Sequence, residues 1–325
     1  MDQEPEPSVR RWLGVVRLTA VVALLATVVA VGYVVVVRAG PPSEEDLRQR
    51  AGLIGKQELL IGVHDDNPGV SLLDADTGVF SGFDIDIAYL VAADLGFRRT
   101  EVRLLPIESE DRGKMQARTS DNRFVTVDLV VASYSITEER EDSPGVTFSE
   151  PYLRTEQSVV TRRDHGVVNT YDDLRGRKVC SISTSTSESP AAQAGVVPAN
   201  RLRTSQCIED LLAGRVEAVT QDAALLAGFV ARDPQRLKLH DIGQATEEYW
   251  GINTGANTAL RDLVNLALYD SLHDPADRRW EDAFDRHLRP AQPASLPQQV
   301  AVDRQPDARR VDVRRWPWEW SALAP

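Results

Sequence analysis

From Leu18 to Val37 the chain runs for 20 consecutive residues without a charge, and Val, Leu and Ala dominate the run. As a helix rising 1.5 Å per residue it would span about 30 Å, the thickness of a bilayer core. No other feature constrains the chain as strongly, because it fixes one element and the compartment of everything after it. Arg10, Arg11 and Arg17 precede the run, whereas Arg38 is soon followed by Glu44, Glu45 and Asp46. Basic flanks stay on the cytoplasmic side, so residues 1–17 are expected in the cytoplasm, 18–38 as a transmembrane anchor, and the remainder outside. Val37-Arg38-Ala39 resembles a small-residue cleavage site, which keeps a cleaved signal and a secreted protein as the alternative. The run is longer than a usual signal core, and no cysteine follows it that could carry a lipid.

Export gives the two cysteines a meaning. Cys180 and Cys207 are too few for a disulfide-rich mini-fold or a four-cysteine zinc site, but in an oxidising compartment they are expected to pair. The remaining composition is that of a globular chain, 42% apolar and 26% charged. Its 325 residues exceed one ordinary core, so two lobes plus accessory segments are expected. A formal charge of −12 argues against a nucleic-acid partner, which would need a basic footprint. Five scattered histidines give no metal cage, and no cofactor is expected.

After a polar stalk over 39–57, with room for one helical turn, Glu58–Val63 reads as a buried strand. Asp74–Gly78 reads as a hairpin turn, since the glutamate that would complete a calcium loop is missing. In Gly82–Gly96, Ile85, Ala88, Ala92 and Leu95 fall at helical steps, with Asp84 as the expected cap and Gly96 as the stop. Val102–Pro106 and Val125–Ser133 follow as strands. The same grammar restarts after 157, with strands at 158–161, 178–182 and 216–220 and helices at 190–195, 205–213, 222–231, 258–273 and 277–288. Strands alternating with helices predict an α/β fold with a largely parallel sheet. Residues 291–325 lack periodicity and are expected to form a disordered tail, whose Trp316-Pro-Trp-Glu-Trp320 could touch a membrane interface or a partner.

Enzyme signatures are missing: there is no Walker loop, dinucleotide fingerprint, His-Glu-x-x-His or Gly-x-Ser-x-Gly. His64, beside Asp65 and Asp66, is read as part of a surface turn. Recognition chemistry is concentrated in Ala132–Arg140. Ser133 and Ser135 project from one side of an extended turn, Thr137 can cap the next helix, and Arg140 sits in its first turn. An arginine there opposes the helix dipole, a local cost that a bound anion would offset. Two hydroxyls, a helix N-terminus and a guanidinium suit a carboxylate.

Gly82-Phe-Asp-Ile-Asp-Ile-Ala, Ser-Ile-Thr-x-x-Arg, Phe-Ser-x-Pro-Tyr, Asp172-Asp-Leu-Arg-Gly-Arg-Lys-Val and the run Leu211–Asp222 occur in that order. Together they resemble the family 3 extracellular solute-binding proteins of amino-acid ABC importers, over about residues 57–290. The resemblance implies the two-lobed type II periplasmic-binding-protein-like fold, here preceded by one transmembrane helix. Lobe 1 would comprise 58–156 and 247–290, lobe 2 would comprise 157–246, and hinge crossings would lie near 154–158 and 245–249.

By the same resemblance Ser133, Ser135 and Arg140 would grip an amino acid's α-carboxylate. Ser185 and Thr186 would close on it from a loop in which Thr184 replaces a usual glycine, and Asp222 would take the α-ammonium. Arg112 would pair with a second carboxylate, favouring glutamate or aspartate over glutamine or asparagine, although the chain from Arg112 to Ser133 is longer than in typical members. Asp65, Asp66 and Asn67 lie where one of them could orient the ligand, and Asp66 is the one expected to do so. The implied partner is an ABC permease or a sensory membrane protein. The alternatives are a dehydratase-like enzyme using Glu188 or Glu150 as an acid, and an interaction module that binds no ligand.

Overall fold

An uninterrupted apolar run has no polar face to offer water, and helix α1 (Pro7–Ala39) carries it. The computed structural model describes residues 7–243 and 247–314. Within α1, Trp12–Val35 is long and apolar enough to cross a membrane, and its large side chains are exposed. The expected stalk turn is α2 (Glu44–Arg50), started by Ser43 and Asp46, each accepting the other's backbone N–H. The chain divides into two compact units, one of residues up to 47 together with those from 312, the other of residues 48–311.

Residues 48–311 hold the α/β elements. Strand β1 (Leu59–Val63) is followed by a small antiparallel sheet of β2 (Asp66–Asn67), β3 (Ser71–Leu73) and β4 (Phe80–Ser81), and Asp74–Gly78 turns β3 into β4 as expected. Helix α3 (Phe83–Asp94) leads to β5 (Val102–Pro106), which lies parallel to β1. The expected strand 125–133 is broken. Its start forms a hairpin, β6 (Gln116–Arg118) with β7 (Phe124–Thr126), and only β8 (Leu129–Val130) joins β1. Asp128 makes the break, because its carboxylate accepts the Leu60 N–H and pairs with Lys56 where a ladder bond would otherwise form.

A short helix α4 (Glu138–Glu141) precedes β9 (Leu153–Arg162). Then come β10 (Lys178–Ile182), α5 (Glu188–Gln193), β11 (Val197–Arg201), α6 (Thr204–Leu212), β12 (Ala218–Asp222), α7 (Ala223–Arg232) and β13 (Leu237–His240). They form a sheet of order β11-β10-β12-β9-β13, parallel at β10 and antiparallel on both sides of β9, so it is mixed rather than mostly parallel. Strand β14 (Glu247–Trp250) pairs with the first half of β9, and α8 (Thr258–His273) and α9 (Arg279–His287) close the α/β elements.

The two sheets are the frameworks of two lobes. Lobe 1 packs α3, α8 and α9 together, with Phe83 edge-on to Trp280 at 5.8 Å and Trp280 stacked on Phe284 at 5.3 Å. Lobe 2 is cored by Val160, Leu211, Val219 and Leu226. Its two cysteines pair as expected, tying β10 to α6 across 5.5 Å between Cα atoms. Closing a loop with a sequence separation of 27 contributes about 3–4 kcal/mol by chain entropy. Strand β9 serves both frameworks, pairing with β14 at Leu153–Glu156 and with β12 from Gln157.

Residues 291–311 depart from the disordered tail expected of them. Val300 is buried in the lobe 2 core with Leu296 packed against it, and the segment lies along β9. Thr155 donates its hydroxyl to the Val300 carbonyl at 2.6 Å, the Val302 N–H reaches Arg154 at 2.9 Å, and Gln305 donates to Leu268 at 2.9 Å. An extended strap that anchors one residue at a time shows no period, which is why composition alone read it as unstructured. The Trp316–Trp320 motif lies outside the described residues.

Candidate functional site

Where β8 ends, the chain turns sharply at Ser133, whose φ of 45° is left-handed and strained for a residue with a Cβ. Asp84 holds it there. The carboxylate accepts both the N–H and the hydroxyl of Ser133 at 2.9 Å, and the Tyr152 hydroxyl at 2.9 Å. Asp84 is therefore not the cap of α3: Gly82 occupies that position, and Asp84 points inward, fully buried. Burial pushes its carboxyl up to about 7, against the pull of these hydrogen bonds. Its spacing gives it away, since residue 84 falls four before Ala88 on the packed face of the helix. The Ser133 hydroxyl, expected to donate to a ligand, already donates to Asp84 and keeps only its lone pairs free.

Arg140 does sit in the first turn of α4, whose N-cap Thr137 accepts the Arg140 N–H. Its guanidinium donates to the Ser135 carbonyl and, from the other lobe, to the Thr184 carbonyl, both at 2.7 Å. Arg112 is buried and donates to the carbonyls of Ser109, Ala132 and Ser133 at 3.0–3.1 Å. Both guanidinium groups lie over the Tyr134 ring, at 4.4 Å for Arg112 and 4.8 Å for Arg140. Burial, and then the like charge of Arg140, lowers Arg112 to about 10. Among the described residues neither arginine forms an ion pair, although a buried cation without one is costly.

Lobe 2 answers with hydroxyls and an acid. Thr184 stands at φ 69°, a left-handed conformation that favours glycine, so the loop turns there at the cost of Cβ crowding. Ser185 bonds the Ser187 hydroxyl at 2.8 Å and Gln221 at 3.2 Å. Asp222, at the junction of β12 and α7, is buried and accepts the indole N–H of Trp250 at 2.6 Å. Burial, and then the neighbouring Glu248, pushes its carboxyl well above the ordinary range.

These pieces meet. Ser133, Ser135, Arg112 and Arg140 from lobe 1 and Ser185, Thr186 and Asp222 from lobe 2 line one cavity. Asp66 does not line it; its carboxylate accepts the Ser205 N–H of lobe 2 at 3.0 Å. Asn67 takes a place in the lining instead, with a buried Oδ1 that has no protein partner. His64 also lines the cavity, which corrects its reading as a surface turn. Burial, and then Arg112, lowers His64 to about 3, so it stays neutral. Its position was available from the sequence, because residues just beyond the carboxyl end of a parallel strand face the ligand crevice of open α/β sheets. Neither glutamate considered as an acid lines the cavity. Glu150 faces Arg309 at 3.6 Å, and Glu188 accepts from Asn200.

The cavity thus sets two cations on one wall against a carboxylate on the other. The sequence profile that matches residues 59–281 is that of the bacterial extracellular solute-binding proteins, family 3. The glutamate-binding protein GluB of Corynebacterium efficiens is 32% identical over 237 residues, covering 68% of this chain and 76% of that one. A glutamine-binding protein of Geobacillus stearothermophilus is 27% identical over 224 residues, covering 68% and 79%. Among solved structures, an ancestral arginine-binding protein bound to glutamine superposes with a TM-score of 0.62 at 28% identity, covering 71% of this chain and 97% of the other.

Proposed function

Since the chain belongs to the bacterial extracellular solute-binding proteins of family 3, we propose that it captures a free amino acid between its lobes, with glutamate or aspartate as the preferred ligand. One observation carries this reading: the buried guanidinium of Arg112 and the half-buried one of Arg140, neither in an ion pair among the described residues, face the buried carboxylate of Asp222 across a single cavity. With Asp222 ionised the cavity has one net positive charge. An acidic amino acid, with two carboxylates and one ammonium, neutralises it; glutamine leaves it uncompensated and arginine worsens it.

In this reading Arg140 and the Ser135 hydroxyl take the α-carboxylate, joined by Ser185 and Thr186 when the lobes meet. Asp222 takes the α-ammonium, a carboxylate being the right acceptor for three N–H donors. Arg112 takes the side-chain carboxylate, and Ser133 contributes through its lone pairs. The protein acts by binding rather than by turnover. Helix α1 would hold it to the membrane with the lobes outside, and the closed form would be read by an ABC permease or a sensory membrane protein.

Isothermal titration of the full chain in detergent with the L-amino acids tests this. Glutamate or aspartate is expected to bind tightest, glutamine more weakly, and lysine and arginine not at all. Tightest binding of a basic amino acid, or of none, would remove the proposal.

A further inference from the structure

Beside the ligand cavity, lobe 2 touches lobe 1 through groups that belong to neither cavity wall. Arg203, immediately before α6, donates to both carboxylate oxygens of Asp65 at 2.7 and 2.8 Å and to Glu108 at 3.1 Å. Two residues on, the Ser205 N–H reaches Asp66 at 3.0 Å, at the end of the helix where a negative charge is favoured. Asp65 and Glu108 are largely covered, and Arg203 is about one-third exposed, at 33%. A two-toothed arginine–carboxylate pair in such a setting is stronger than an ordinary surface ion pair.

On the same side the backbones approach closely. A Cβ at Gly228 of α7 would fall 1.8 Å from the Pro68 carbonyl oxygen of lobe 1. Gly228 sits inside a helix, where alanine would ordinarily be favoured, so the contact explains the missing side chain.

We propose that this face sets how readily the lobes close, with Arg203 and Gly228 acting as positioning residues for ligand capture while touching no ligand. The proposal rests on the reading above in that closure is what captures the ligand, but the face itself can be measured without any ligand. Its energy adds to the closed state alone, so it raises apparent affinity by enlarging the binding-competent population.

The test uses the full chain in detergent with spin labels on Asp76→Cys and Arg177→Cys, one exposed site on each lobe, and reads the interlobe distance distribution without ligand. Arg203→Ala is expected to move population from the closed to the open distance, and Arg203→Lys to move less of it, since lysine keeps the charge but loses the fork. Gly228→Ala is expected to abolish the closed distance while leaving thermal stability intact. Raising salt to 0.5 M should shift the parent toward Arg203→Ala, because the clasp is partly exposed. Asp65→Asn with Glu108→Gln should reproduce the arginine variant from the other lobe. With glutamate as probe, Arg203→Ala should bind about tenfold more weakly. Unchanged distances in Arg203→Ala and Gly228→Ala would overturn the proposal. If the variants shift the distances but the parent binds no glutamate, the face stands and the ligand reading fails. If glutamate binds the parent and all variants equally, the ligand reading stands and the face does not.

Discussion

Each lobe builds its half of the site where a strand ends and a helix begins, yet the halves differ in charge and in how they are braced. Lobe 1 presents two cations, Arg112 and Arg140, pinned by backbone carbonyls and the Tyr134 ring, with Asp84 bracing the turn from below. Lobe 2 presents one acid and a row of hydroxyls, with the disulfide fixing α6 nearby and Trp250 holding Asp222. Neither half matches a zwitterion alone. A cationic wall would attract any anion and an acidic one any cation, so selectivity for an amino acid arises only when the halves face each other. The hydroxyl loop of lobe 2 meets the lobe 1 wall through the Arg140–Thr184 contact.

The sharpest way to break this asymmetry is Arg140→Ala, which removes the proposed grip on the α-carboxylate and the contact to Thr184 together. Glutamate affinity is expected to fall by about 3 kcal/mol, more than 100-fold, in a calorimetric titration. Asp222→Asn attacks the other half and should cost about 2 kcal/mol, roughly 30-fold. It should also remove a pH effect. Asp222 is raised by burial and by Glu248, and a bound ammonium favours its ionised form. Binding then expels a proton, so affinity rises with pH through the raised range and levels off above it. Titrations in buffers of different ionisation enthalpy should detect that proton for the parent and not for the variant.

Arg112→Met probes the division of labour within lobe 1. Glutamate is expected to weaken roughly tenfold while glutamine changes little, so the ratio of the two affinities collapses. Equal losses for both ligands would mean that Arg112 serves only the backbone carbonyls it holds. A separate effect, on stability rather than affinity, lies beneath the site. The Asp84 carboxyl stands at about 7, above its unfolded value, so the folded state holds a proton that the unfolded chain has released. Its contribution to stability is complete below about pH 4 and is lost as pH rises through about 7. Thermal melts from pH 4 to 8 should show the parent losing stability over that interval and Asp84→Asn following a flatter curve.

What the sequence disclosed depended on whether the physics was local. The apolar run, α3, α8 and the strands β1, β5 and β10 are set by periodicity within a few residues, and the structure repeats them closely. The lobe 1 wall was legible for the same reason, since Ser133, Ser135 and Arg140 share one turn. Asp84 reads as a cap from sequence because a first-turn aspartate looks like one until Ser133 and Tyr152, 49 and 68 residues away, meet it. Asp66 draws a sequence reading by its charge, although its carboxylate is occupied by the Ser205 N–H of the other lobe. The strap over 291–311 is hidden from sequence because its anchors, such as Thr155 on Val300, are long-range and aperiodic. Arg203 carried no local signal; its partners lie 138 and 95 residues before it.

The most direct measurement of the central claim is a diffraction structure of the protein grown with L-glutamate. It should show the α-carboxylate on Arg140, the ammonium on Asp222 and the side-chain carboxylate on Arg112, with both lobes contributing. A glutamate held by one lobe alone, or a cavity occupied only by water while Arg140 keeps its bonds to Ser135 and Thr184, would contradict it.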